Sequence, residues 1–361
     1  MKRLRILTLC SLSIALAIFF FKNETPSTIS QGDGLVLKKE WLAENKNPAT
    51  PKQYCRPADQ TFLTFPEWFL VFSPDEQARF FKHTTATTFP YTTHTTQIWQ
   101  SYKIVCDQIR DNFVYNGGYH FMIWVIGSSA TVEYTIKAWY EKIIGRLTDT
   151  YEVITDEDIF NATYTQNYVD FIKDRPWYEF NFKKELSTLY KTTTIFDTYF
   201  IRKIERKYIL TSELIVKIVY GKLIGLGTAS VYEAALPTTE VLVDSLVANV
   251  APFKILKTYE NKSALISLPR YNKFNDAACK LAQQGFTFKE VAGNNSAILI
   301  TVLAPVDTRI AYKNCQTIFI QSISSQRQMQ RIAIAAPVKD LSTLLLQLKN
   351  DELIIEHIFD F

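Results

Sequence analysis

The pattern of apolar and polar positions divides the chain into four stretches. Ile6 to Phe21 is uncharged and lies between Lys2, Arg3 and Arg5 on one side and Lys22 on the other. A signal-peptide core runs to about 15 residues and a spanning helix needs about 17 to 25, so this stretch falls between the two classes. Arg5 and Lys22 can snorkel and lengthen it. The pattern predicts an uncleaved signal anchor over residues 1–22. The alternative is a cleaved signal, with Ala15-Leu16-Ala17 or Thr28-Ile29-Ser30 as the small-x-small site. The basic end favours the cytoplasm, which places the body on the far side of the membrane. Residues 23–60 hold Pro26, Pro48, Pro51 and Pro57 with little periodicity, and read as a tether.

Residues 61–236 carry helical spacing. Pro66 suits a first helical turn, and Ser73-Pro74-Asp75-Glu76 reads as a capping box that starts a second helix. Ile98, Tyr102, Val105 and Ile109 recur on one face. Asn116-Gly117-Gly118 breaks the pattern. Phe121 to Leu147 then reads as one long helix, with Ile136, Trp139, Ile143 and Leu147 on one side and Glu133, Lys137 and Glu141 on another. Thr155 and Asp156 start a helix whose Phe160, Tyr164, Tyr168 and Phe171 form a core stripe. A last helix, Phe200 to Leu226, is basic and amphipathic, with Arg202, Lys203, Arg206, Lys207, Lys217 and Lys222 against Glu205 and Glu213. Two readings are open for it: a helix on anionic headgroups, or a domain helix with its apolar face in the core and its basic face in water.

After Pro237 the period shortens. Residues 237–261 read as a connecting segment. Strands are predicted at 264–268, 286–291, 297–303, 317–323, 331–335 and 353–359, with helices at 272–284 and 338–349. Gly293-Asn294-Asn295 predicts a hairpin turn. Removing one hairpin leaves the βαββαβ order, so the expected fold is α+β: an aromatic-rich helical domain followed by a ferredoxin-like α+β domain at 262–361.

Composition changes this picture in two respects. The 25 Phe, 19 Tyr and 6 Trp crowd the helical stretch and predict an aromatic core, with an aromatic-lined pocket or a membrane-facing rim as the alternative. The net charge of +4, with no basic stripe, argues against a nucleic-acid partner. Outside Cys10, the cysteines Cys55, Cys106, Cys279 and Cys315 have no Cys-x-x-Cys spacing. Disulfides Cys55 with Cys106 and Cys279 with Cys315 are the economical pairing, and free buried thiols the alternative.

The chemistry-bearing residues cluster between positions 67 and 133. Glu67, His94, His120 and Glu133 are the candidates for acid–base work. Glu67 stands among aromatics, where burial would raise its pKa. Arg175 and Trp177 are candidate ligand contacts, through a cation–π pair that leaves a cation for an anion. No His-Glu-x-x-His, Gly-x-Ser-x-Gly or phosphate loop is present, so the sequence implies neither metal nor other cofactor.

Thr61-Phe62-Leu63-Thr64-Phe65-Pro66-Glu67-Trp68, Asn116-Gly117-Gly118-Tyr119-His120, Arg175-Pro176-Trp177-Tyr178-Glu179-Phe180 and Glu356-His357-Ile358-Phe359-Asp360-Phe361 resemble segments of a family of functionally uncharacterised bacterial envelope proteins. The resemblance implies an envelope location and no particular activity. The expected protein is therefore single-pass in the inner membrane with a periplasmic body, and binding or structural in role. The competing expectation is an anchored enzyme acting on lipid or envelope material through Glu67, His94, His120 and Glu133.

Overall fold

A computed structural model describes residues 29–31, 37, 41–42, 47–194, 198–228, 237–244, 253–260 and 262–360. The Ile6–Phe21 stretch lies outside them. The chain is α+β, with helices in its N-terminal half and two small antiparallel sheets toward the C-terminus. It divides into two compact units. One takes Phe69–Thr95 and Ser128–Ala235. The other takes Glu24–Trp68, Thr96–Gly127 and Leu236–Phe361. We call them the helical unit and the mixed unit.

Helix α1 spans Gln60–Phe81 without a break at Pro66 or Pro74. The predicted second start at Ser73 is not used, because the Ser73 hydroxyl is engaged elsewhere and Phe62, Phe65, Phe69 and Phe72 are all buried along the helix. Packing thus overrides the local signal. Helix α2 is Tyr91–Ile109, and α3 is Gly117–Tyr140, continued by a π-helical turn at Glu141–Gly145 and a last turn at Arg146–Thr148. Helix α4, Asp156–Ile172, starts on a Thr155/Asp158 capping box. Helices α5, Phe182–Thr192, and α6, Phe200–Thr228, complete the described helices of this half.

In the mixed unit the strands form two sheets. Strands β1 (Ile29–Gln31), β2 (Thr238–Asp244), β3 (Lys254–Thr258), β4 (Ser263–Pro269), β5 (Thr287–Val291), β6 (Ala297–Pro305), β7 (Gln316–Ser322), β8 (Met329–Pro337) and β9 (Ile354–Ile358) pair in the orders β3-β4-β2-β5 and β1-β7-β8-β6-β9. Helix α7, Asn272–Gln283, joins β4 to β5, and α8, Leu341–Asn350, joins β8 to β9.

This is a topological duplication. The order β2-β3-β4-α7-β5 recurs as β6-β7-β8-α8-β9, and the sheet orders correspond strand for strand. In each half the first strand lies antiparallel between the third and fourth, so the helix connects two parallel strands across it. The sequence shows no internal repeat, and the repeat is one of topology. A single ferredoxin-like sheet does not form, because β2 and β3, inside the stretch read as a connector, supply the neighbours that β4 and β5 require. The hairpin at Gly293 is likewise absent: β5 pairs with β2 and β6 with β8 and β9, so the turn passes between sheets.

Both halves contribute to one apolar core, with Phe274, Phe286, Phe288 and Val291 from the first and Ile298, Ile300, Ile334 and Leu348 from the second. Fully burying side chains of this size contributes about 1.5–3 kcal/mol each. The N-terminal turns of α1 seat on this unit. Phe65 meets Phe319 and Phe359 edge to face, and the Thr61 hydroxyl donates to the Phe359 carbonyl at 2.8 Å. Where described, the stretch read as a tether is also bound: Ala49 N, Thr50 N and Thr50 Oγ1 donate to the Glu290 carboxylate at 2.9–3.1 Å.

Candidate functional site

Helix α6 and the part of α3 from Ser128 onward, both in the helical unit, are amphipathic, as their spacing predicts, but each turns an apolar stripe outward and a charged face inward, with Leu210 and Leu214 of α6 as buried apolar exceptions. On α6, Arg202 and Arg206 are 3% and 2% exposed, while Ile201, Tyr208, Val216 and Leu223 are all above 60%. Lys203, Glu205 and Lys207 are buried too, so the basic residues of the N-terminal half of the helix do not face water. On α3 and its π turn, Ile136, Trp139, Ile143 and Leu147 face out and Glu141 is buried.

This orientation has an electrostatic cause. The helices run antiparallel, and their charges alternate in matching register. Glu133 Oε1 lies 3.5 Å from Lys217 Nζ, Lys137 Nζ lies 3.0 Å from Glu213 Oε2, and Glu141 takes a two-pronged contact from Arg206 at 2.8 and 3.0 Å. The Arg202 guanidinium reaches the Gly145 carbonyl at 3.3 Å and Asp149 at 3.4 Å. Lys137 and Lys217 also meet Glu133 and Glu213 within their own helices, at 2.9 and 2.8 Å. Each buried charge therefore has a partner, the condition under which burial is tolerated. Burial pushes Glu133 upward, but Lys217 and Lys137 outweigh it and hold the carboxyl at about 2. Its side chain keeps 39% of its surface exposed, so this shift rests on the two ammonium groups. The same partners hold Glu213 down and both lysines up.

The outer surface left by this arrangement is apolar and selectively charged. Ile201, Ile204, Tyr208, Ile215, Val219 and Leu223 follow one another at three-, four- and seven-residue steps. Ser129 on α3 meets Tyr220 on α6 at 3.3 Å, which joins the two outer faces. Among the described residues of α3 with its terminal turns and of α6, the exposed charged residues are Lys142, Arg146 and Lys222, and the Glu133 side chain is partly exposed beside its two lysines. Among all the described residues, no helix is long and apolar enough to cross a membrane.

The other candidates occupy separate surroundings. His94 is fully buried in the helical unit, its Nδ1 2.8 Å from Ser73 Oγ and its Nε2 3.4 Å from Glu76. Ser73 also bonds the Tyr134 hydroxyl at 2.7 Å. The set has the residue types of a hydrolase triad, but with Ser73 1% exposed a substrate has no approach to the hydroxyl. Glu133 belongs to the ion ladder. In the mixed unit Glu67 accepts a hydrogen bond from Tyr119. Burial raises its carboxyl, while the Tyr119 hydroxyl and the Arg270 charge pull it back. Arg175 lies over Phe171 at 5.7 Å, and Trp177 stacks on Tyr220 at 5.3 Å. The Arg175–Trp177 pair is thus not formed, because each ring and cation has a nearer partner. Cys55, Cys106, Cys279 and Cys315 are free thiols.

His120 lies beside a cavity of about 220 Å³ within the mixed unit. Helix α2 supplies Tyr102, Cys106 and Ile109, and the following loop supplies Phe113 and Tyr115. The Tyr102 hydroxyl lies 2.7 Å from His120 Nδ1, and Tyr115 stacks on the imidazole at 4.6 Å. Burial lowers the His120 pKa and raises those of Cys106 and Tyr102, so imidazole, thiol and phenol are all neutral at pH 7. Sequence spacing finds Tyr102 and His120 separately, but their meeting depends on the reversal at Asn116-Gly117.

No family model, no curated protein and no solved structure matches this chain.

Proposed function

We propose that this chain is a membrane-tethered envelope protein whose helical unit lies in the lipid interface through the outer face of α3 and α6. The observation that supports this is the burial pattern of the two helices, with an ion ladder inside, an apolar stripe outside and the basic Lys142, Arg146 and Lys222 exposed beside it. Ile201 to Leu223 spans about 33 Å of helix at about 1.5 Å per residue, long enough for a broad interfacial contact. Lys142, Arg146 and Lys222 suit anionic headgroups. The basic N-terminus and the Ile6–Phe21 run support an anchor in the inner membrane with a periplasmic body, which keeps this face near lipid. The role is binding or structural. An enzyme using Glu67, His94, His120 and Glu133 together has less support, since each has its own separate set of partners.

The test uses a body beginning at residue 29 and vesicles with and without phosphatidylglycerol. It should sediment with the anionic vesicles, less so as salt rises. Ile204→Glu with Val219→Glu should release it. Failure to bind anionic vesicles at low salt contradicts the proposal, and reversible dimers in its place would make a second copy the occupant of the face.

A further inference from the structure

The cavity beside His120 is independent of the lipid-facing surface, and its construction carries a second conclusion. Three features select a ligand. The wall is largely apolar, through Ile109, Phe113, Val114 and Tyr115. Of its polar groups, His120, Cys106 and Tyr102 are neutral at pH 7, and the one carboxyl in the lining, Asp59, is buried and already has a partner, so a charged molecule would lose hydration with no free opposite charge to meet at depth. Arg110 does not change this, because it is 68% exposed and paired with Asp107 at 3.0 Å. Finally, one directional group is available. Tyr102 occupies Nδ1 of His120 and fixes the ring, which leaves Nε2 for a ligand's donor or acceptor, depending on the tautomer.

We propose that this cavity binds a small, neutral, planar aromatic molecule of one or two rings, with a single polar group directed to His120. At about 220 Å³ the cavity lies below the usual range of about 300–1,000 Å³ for drug-sized ligands, which sets the ring count. The Tyr115–His120 stack, 13° from parallel, gives a flat ring an aligned edge to pack beside. Cys106 is held as a thiol, so it acts as a soft wall and reports occupancy.

The test is protection of Cys106 in the full chain, held in detergent, with indole as the probe. Iodoacetamide labelling is followed peptide by peptide, with Cys279 and Cys315 as internal references. Saturating indole should slow Cys106 labelling about tenfold and leave the references unchanged, and cyclohexanol should protect far less. His120→Ala should raise the indole concentration needed at least fivefold. Should that variant fail to fold, Tyr102→Phe removes only the hydroxyl that orients the ring, and should raise it less. Equilibrium dialysis of labelled indole, independent of thiol reactivity, should give one saturable site. Three results overturn the proposal: no saturable site, equal slowing at all three cysteines, or protection that survives both substitutions undiminished.

Discussion

Phe274, Phe286 and Phe288 in the mixed unit and Arg202, Arg206 and Glu141 in the helical unit are buried to a similar depth. In the first case burial removes apolar surface from water, and stability follows from the area covered. In the second it removes charge from water, and the structure holds because the ladder from Glu133 to Arg202 leaves each charge a partner. The mixed unit also buries Arg331, but on the face of β8 opposite its apolar core, gripped by Glu356 at 2.6 and 2.7 Å and bonded to Gln321. The helical unit makes such pairs the seam between two helices and turns one apolar stripe of each outward, while Leu210 and Leu214 of α6 pack in its own apolar core.

The sharpest way to break the comparison is to remove one rung. Arg206→Leu leaves Glu141 and Glu205 buried without their main partner, and should cost about 3–5 kcal/mol in denaturant titrations. Phe274→Ala in the mixed unit should cost a similar amount, about 3–5 kcal/mol, by opening a cavity. If Arg206→Leu proves neutral, the ladder does not hold the seam.

Titration separates the units by sign. Asp360 of the mixed unit is pushed up to about 7 by burial, against the pull of Arg270 and the Thr239 hydroxyl. Its folded pKa is raised, so its contribution is complete below the ordinary carboxyl value near 4 and is lost as pH rises through 7. Glu133 has a lowered folded pKa of about 2, so its contribution is present above about 4.5 and is lost as pH falls toward 2. Asp360→Asn should flatten the loss of stability between about pH 4 and pH 7, by a few kcal/mol at most. An unchanged pH profile in that variant would remove Asp360 from the account.

Gly145→Ala is a smaller perturbation. A Cβ there would run into the Glu141 carboxylate that Arg206 grips. The expected cost is about 1–2 kcal/mol in the same titration, with a larger loss if the π turn cannot adjust. Ile204→Ser should have the least effect. Its side chain is 47% exposed, so in detergent the change should stay within about 0.5 kcal/mol.

These contrasts also show what the sequence could convey. The stripes on α3 and α6 were legible residue by residue, because helical spacing places Ile136 with Trp139 and Glu133 with Lys137. The side that faces inward was not, since amphipathicity fixes two faces and not which of them meets the neighbour. The signal that could have settled it is the antiparallel match of Glu133, Lys137 and Glu141 with Lys217, Glu213 and Arg206, visible only once the helices are paired. Six of the strands were readable from β-branched runs. β3 was not, because Lys254-Ile-Leu-Lys-Thr lies exposed throughout at an edge, where lysines discourage further pairing. His120 stood out by residue type, whereas Tyr102 read as an ordinary core position, and only the turn at Asn116-Gly117 joins them.

Depth measurement tests the environment of the outer face of α3 and α6 most directly. In the full chain in phosphatidylglycerol-containing vesicles, spin labels at Ile143, Ile204 and Val219 should be more accessible to oxygen than to a water-soluble nickel chelate. A label at the exposed Lys183 should show the opposite preference. If all four labels report the same aqueous accessibility, the apolar face does not meet lipid and the account is wrong.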